Sequence, residues 1–175
     1  KLDKDAQNVY EHSMNLITAS IQETRNISHG LMTRGLNQFG LSRSIEDAVN
    51  NVVFIDKSLQ FEFRHNIEEL RFSEEQEKGL YRVLQELITN IIKHSKATRA
   101  SINIHLEQNT MHITVKDNGV GLTKQFKTLK NSGIGLKNII TRLDYLSGTF
   151  TVIENLKKGT EIIIEVPVTI INEEQ

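Results

Sequence analysis

Apolar and small residues recur at Leu2, Ala6, Val9, Ser13, Leu16, Ser20 and Ile27, with Ile17 and Ile21 beside them, and no proline interrupts the run. Steps of three and four predict a long amphipathic helix over residues 1–31, its stripe close to a heptad seam. That stripe suits a helical hairpin or bundle, although packing on its own domain satisfies the same pattern. Gly30, Gly35 and Gly40 then break the periodicity, making residues 34–43 a boundary or bend. Ser44 with Asp47 reads as a capping box that opens a short helix through Val53.

Leu59, Phe61 and Phe63 alternate with Gln60, Glu62 and Arg64, which predicts a strand. Ser73, with Gln76 at the capping-box position, precedes Leu80, Leu84, Leu87 and Ile91 at helical spacing, so a second long helix runs from Glu74 to His94. Alternating segments 100–107 and 110–117 flank Gln108-Asn109 and read as a hairpin. A two-residue loop pairs 107 with 110, so Ile104 faces Ile113, Leu106 faces Met111, and His105 faces His112 on the opposite side. After a polar, glycine-rich stretch come a helix over 135–146 and strands over 149–154 and 160–168. Mixed elements with hairpins predict an α+β fold, a two-layer sandwich with helices on one sheet face. Ser101, Asn103, His105 and Glu107 would lie on the solvated face.

Composition narrows the function classes. A chain of 175 residues supports one domain of ~150 residues plus an appendage. Without cysteine there is no disulfide framework, thiolate metal site or cysteine nucleophile. A net charge of −1 argues against a dedicated nucleic-acid binder. No run approaches the ~18 to 20 apolar residues of a membrane span. The chain opens on Lys1 and not on Met, which suggests a piece of a longer protein.

Three features carry candidate chemistry. On the second long helix, Arg82, Glu86, Asn90 and His94 fall at steps of four, with Lys93 alongside. Such a stripe is either a plain solvated face or a site where the Asn90 carboxamide holds Mg²⁺ while Lys93 and His94 oppose phosphate charge. Asp117-Asn118-Gly119-Val120-Gly121 ends a strand, and Ser132-Gly133-Ile134-Gly135-Leu136 opens a helix. Alone, Asp-Asn-Gly also suits a tight turn. Read together, the glycines allow close backbone approach, a helix start attracts phosphate, and a strand-end carboxylate accepts from the exocyclic amine of adenine. Between them Lys124, Lys127, Lys130 and Lys137 stand without an acid, either a solubilising loop or a screen for a triphosphate. The six histidines form no HExxH or other zinc pattern, and His105 with His112 lacks an evident third ligand.

Four segments in this order resemble the catalytic and ATP-binding region of bacterial sensor histidine kinases, within the gyrase, chaperone, kinase and mismatch-repair ATPase superfamily. LQELITNIIKHSKAT, from Leu84 to Thr98, looks like the N box; DNGVGL and GIGLKNIITRL look like the two glycine boxes; KGTEIIIEVP looks like the closing strand pair. The Gln85-Glu86 and Lys93-His94 flanks, with IQETRNISHGL, point to the nitrate-sensor-like subfamily.

The resemblance implies a Bergerat-type ATP-binding fold, with a mixed, mostly antiparallel sheet, over residues 41–175. Residues 1–40 would be the end of a dimerisation and phosphotransfer hairpin. Asn90 would ligate Mg²⁺; Asp117 would read adenine, with Thr160 supporting it through water. Lys93, His94 and Lys130 would face phosphate, Gly119, Gly121, Gly133, Gly135 and Leu136 would shape the nucleotide site and lid, and Glu86 would orient water or metal. Expected partners are ATP, a response regulator receiver domain and a second copy joined through the N-terminal helix, with no nucleic acid and no membrane segment in this chain. The expected location is cytoplasmic, the full-length protein having room for an inner-membrane anchor. His29 is followed by glycine where the commoner kinases carry an acid, and it lies too near Asn90, so the phosphoacceptor is expected upstream; His12, followed by Ser13, is a poor substitute. A conformational ATPase of the same superfamily and a non-catalytic, nucleotide-gated dimerisation module are the alternatives.

Overall fold

The computed structural model describes residues 13–14, 35–121, 134–153 and 158–171. The chain divides into two compact units, 1–38 and 39–175. In the first, Ser13, Met14 and residues 35–38 are helical, and the rest of the long helix expected over 1–31 lies outside the described residues.

The second unit begins with helix α1, residues 39–55, which starts earlier than the sequence pattern suggests. The Ser44 hydroxyl donates to the Gly40 carbonyl one turn back at 2.8 Å, so Ser44 sits inside the helix and is not its cap. Gly40, inside the 34–43 segment read as a boundary or bend, has φ +75°, while the residues on both sides of it are helical. Strand β1 (Gln60–His65) follows, then the two-residue β2 (Arg71–Phe72) and the long helix α2 (Glu74–Asn90). Ser73 caps α2 by accepting from the Gln76 N–H. The Gln76 side chain does not return the bond: it donates to the Pro167 carbonyl at 3.1 Å and accepts from the Thr169 N–H at 3.1 Å. Helix α2 stops at Asn90 and widens into a single π-turn, Ile91–Ser95, that ends with Lys96 in the left-handed conformation.

Strands β3 (Arg99–Glu107) and β4 (Thr110–Asp117) form the expected hairpin. Ile104 pairs with Ile113, Leu106 with Met111 and His105 with His112. Gln108 and Asn109 both have positive φ, the signature of a two-residue turn whose twist matches the strands. Helix α3 (Ile134–Tyr145), β5 (Thr149–Val152), β6 (Thr160–Pro167) and β7 (Ile170–Ile171) complete the unit. The main sheet has the order β1-β3-β4-β6-β5, antiparallel except for β1 against β3, and β2 pairs with β7 in a small second sheet.

Alternation decides which sheet face is covered. Ala100, Ile102 and Ile104, Met111, Ile113 and Val115, and Ile162, Ile164 and Val166 are all buried, together with Leu80, Val83, Leu84 and Leu87 of α2 and Ile139 and Leu143 of α3. Fully burying each of the Val, Leu, Ile and Met side chains among them stabilises by about 1.5–3 kcal/mol, and helices and sheet share one core. The opposite face carries His105, Lys116 and Glu165, which are exposed. Among the described residues one charge is deeply buried: Glu77 accepts from Arg71 Nε at 2.9 Å, from Arg71 Nη2 at 3.1 Å and from the Phe72 N–H at 3.1 Å. A carboxylate in the core is tolerable only with such full pairing.

Candidate functional site

A cavity of about 280 Å³ opens where α2 and its π-turn meet the end of β4, the start of β6 and the start of α3. Six of the residues singled out from sequence line it: Asn90, His94, Asp117, Gly121, Leu136 and Thr160. Between the polar groups lie Leu87, Ile91, Val115, Val120 and Ile162, an apolar wall suited to a flat heterocycle.

The π-turn bears on the polar end. A strict α-helix would continue the stripe from Asn90 to His94 with one period, whereas the wider turn buries Ile91 and Ser95 and leaves Lys93 and His94 exposed. His94 reaches the cavity and Lys93 is not among its lining residues. The Ser95 hydroxyl donates to the Ile91 carbonyl at 2.7 Å and accepts from the Ala97 N–H at 3.0 Å, which closes the turn.

Asp117 is the last residue of β4, directly across from Thr160 on β6. Its carboxylate accepts from the Gly119 N–H at 2.7 Å, so one oxygen is fixed by the chain itself. The glycines make room for protein backbone. A Cβ on Gly119 would stand 2.1 Å from the Ser95 carbonyl oxygen, and one on Gly159, at φ +85°, would stand 1.9 Å from that of Asp117. The Val120 N–H donates to the Ser95 carbonyl at 2.8 Å across the first of these contacts. Three distant segments, ending at Ser95, Asp117 and Gly159, thus converge on backbone contacts that any side chain would prevent.

Glu86 and Gly135 touch each other and do not line the cavity: a Cβ on Gly135 would fall 2.1 Å from Glu86 Oε1. Nearby on α2, burial holds the Arg82 guanidinium below its ordinary value, with the Arg142 charge acting the same way. Burial pushes the Tyr81 phenol up, against the opposing effect of Arg82. Lys130 and Gly133, with Lys124 and Lys127, lie outside the described residues.

Sequence reasoning missed Ser95, Asn118 and Gly159 as builders of the site. Asn118 and Gly159 resemble ordinary turn residues, and Ser95 merely follows a polar stripe; each acts through a partner far away in the chain. A second, more open groove of about 670 Å³ borders Asp117 on the side of Phe61, Arg99 and Lys116. Two of its charged groups pair with residues outside the lining, Lys116 with Glu161 at 2.8 Å and Glu62 with Arg64 at 2.6 Å. On the solvated sheet face His112 contacts Glu165 at 3.2 Å beside His105, but among the described residues no three histidine or carboxylate groups are arranged to hold a metal ion. Among the same residues no helix is long and apolar enough to cross a membrane.

An α+β sandwich with this cavity at the strand ends is the class of domain the geometry defines. The chain belongs to the histidine kinase-, DNA gyrase B- and HSP90-like ATPase family, whose model matches residues 75–170. It is 29% identical over 159 residues to the signal transduction histidine-protein kinase/phosphatase DegS of Brevibacillus brevis, covering 88% of this chain and 39% of the relative. It is 26% identical over 174 residues to the oxygen sensor histidine kinase NreB of Staphylococcus carnosus, covering 97% and 49%. The chain therefore spans less than half the length of these relatives. In fold it is similar to the histidine kinase domain of the Erythrobacter litoralis EL346 blue-light activated histidine kinase, with a TM-score of 0.65 at 14% identity over 79% of this chain and 70% of that one. ATP use follows from the family.

Proposed function

We propose that the chain is the ATP-binding catalytic region of a two-component sensor histidine kinase. It would transfer the γ-phosphoryl of ATP to a histidine nitrogen outside this chain, releasing ADP, and the phosphoryl would then pass to an aspartate of a response regulator receiver domain. The observation that carries this reading is that Asp117 and Asn90 line the same cavity together with apolar side chains.

In this reading Asp117 accepts from the adenine amine, an edge that guanine replaces with a carbonyl. Leu87, Ile91 and Ile162 stack on the base and exclude water. Asn90 offers a single oxygen ligand, which suits Mg²⁺ because that ion keeps several waters and takes its other ligands from phosphate. Bound there, Mg²⁺ would neutralise phosphate charge during in-line transfer. His94 and Lys93 stand at the same end of α2 to oppose that charge, and the start of α3 presents N–H groups towards it. Residues 1–40 would supply part of a dimerisation hairpin joining two copies, in keeping with the heptad-like stripe.

The test is to incubate the chain with Mg²⁺ and ATP labelled at the γ-phosphate. Saturable ATP binding, without sustained hydrolysis and without stable phosphohistidine on any of its six histidines, is expected. Steady multiple-turnover hydrolysis would instead favour a conformational ATPase, and acid-labile, base-stable label on the chain would place the acceptor within it.

A further inference from the structure

Building on the adenine reading of Asp117, we propose that Asn118 is a positioning residue: its carboxamide fixes the aim of the Asp117 carboxylate and thereby sets the selectivity for a purine bearing an exocyclic amine. In an ordinary Asp-Asn-Gly turn the asparagine side chain bonds its own neighbours. Here it reaches back to the connection between the π-turn and β3. Its Oδ1 accepts from the N–H groups of Thr98 and Arg99, both at 2.9 Å, and its Nδ2 donates to Thr98 Oγ1 at 3.0 Å. Its own backbone N–H donates to the Arg99 carbonyl at 3.1 Å. Both acceptor sites of Oδ1 are in use, so the side chain has one orientation.

The anchor is itself held, because the Thr98 carbonyl accepts from the Gln60 N–H of β1 at 3.0 Å. The consequence passes to Asp117 through one residue. Its carboxylate is oriented by the Gly119 N–H, and the position of Gly119 follows from that of Asn118. Selection by a hydrogen bond depends on distance and angle, so a loop free to shift would still admit a purine but would no longer distinguish one with an amine from one without.

The experiment compares ATP with its analogue lacking the 6-amino group, purine riboside triphosphate, by titration calorimetry on the full chain. The wild-type chain is expected to prefer ATP by about 10- to 100-fold, the range of a hydrogen bond to a charged group. Asn118→Ala should reduce that preference to within about threefold of unity. Asn118→Asp keeps both acceptor bonds and should retain most of it. Asn66→Ala controls for general loosening: Asn66 makes a comparable clamp at the far end of β3, accepting from the Leu106 N–H at 2.7 Å and donating to the Leu106 carbonyl at 3.2 Å. Its variant should lower the melting temperature while leaving the preference intact. A preference unchanged in Asn118→Ala, or lost equally in Asn66→Ala, overturns the positioning role. A wild-type chain that binds both nucleotides equally overturns the adenine reading of Asp117 itself.

Discussion

A side chain on Gly135 at the start of α3 would stand 2.1 Å from the Glu86 carboxylate oxygen on α2. The atom in the way is the tip of the flexible Glu86 side chain and not backbone, so the carboxylate must swing aside if position 135 carries a methyl group. Gly135→Ala should therefore gain less than the ~1 kcal/mol by which alanine is the better helix former, because Glu86 has to move. Glu86→Ala should relieve the clash. A denaturant double-mutant cycle is expected to give a coupling energy of about 0.5 kcal/mol, because contacting residues are not additive. Strict additivity would show that the contact is not felt.

The buried Glu77–Arg71 pair makes a prediction of opposite character. Glu77→Met alone leaves the partly buried Arg71 guanidinium without its carboxylate and should cost about 3 kcal/mol by urea denaturation. Arg71→Met together with Glu77→Met removes both charges and should be closer to neutral than either single change. A double variant worse than both singles would mean that the pair stabilises beyond mutual compensation.

Much of the fold was legible because its signals are local. The β3–β4 register followed from the two-residue loop at Gln108-Asn109, and α2 from the Ser73 cap and its leucine stripe. Two-residue strands such as β2 and β7 have no period to read and exist because the chain returns beside Arg71–Phe72. Ser44 misled because its hydroxyl has two local uses, capping and back-bonding, and only the surrounding backbone chooses. Six residues singled out from sequence line the cavity, Asn90, His94, Asp117 and Thr160 with polar groups of their own and Gly121 and Leu136 from the glycine-rich segments. Ser95, Asn118 and Gly159 act by closeness to distant backbone, which no spacing rule records.

Gly159 gives the sharpest test of that closeness. With φ at +85° and the Asp117 carbonyl 1.9 Å from a would-be Cβ, Gly159→Ala should cost about 2 kcal/mol or more and weaken ATP binding at the same time. Gly35→Ala is the matched control. A Cβ there meets nothing within 4 Å, and thermal melts should place it within about 1 kcal/mol of wild type. Equal effects at both positions would refute the packing argument.

Asn90 separates metal from base recognition. If its carboxamide holds Mg²⁺, Asn90→Ala should abolish most of the gain in ATP affinity that Mg²⁺ gives the wild-type chain while changing metal-free ATP binding by less than about threefold. Equal loss with and without Mg²⁺, measured by calorimetry in the presence and absence of EDTA, would assign Asn90 a direct role on the nucleotide.

The most direct test of the account is the affinity for ATP of the wild-type chain beside Asp117→Asn, measured by titration calorimetry with Mg²⁺ present. An amide at position 117 weakens the charge-assisted acceptor, and the Gly119 N–H loses its carboxylate partner. Saturable binding by the wild type, weakened about tenfold or more in Asp117→Asn, is the predicted result. Equal affinity in the two proteins would contradict it.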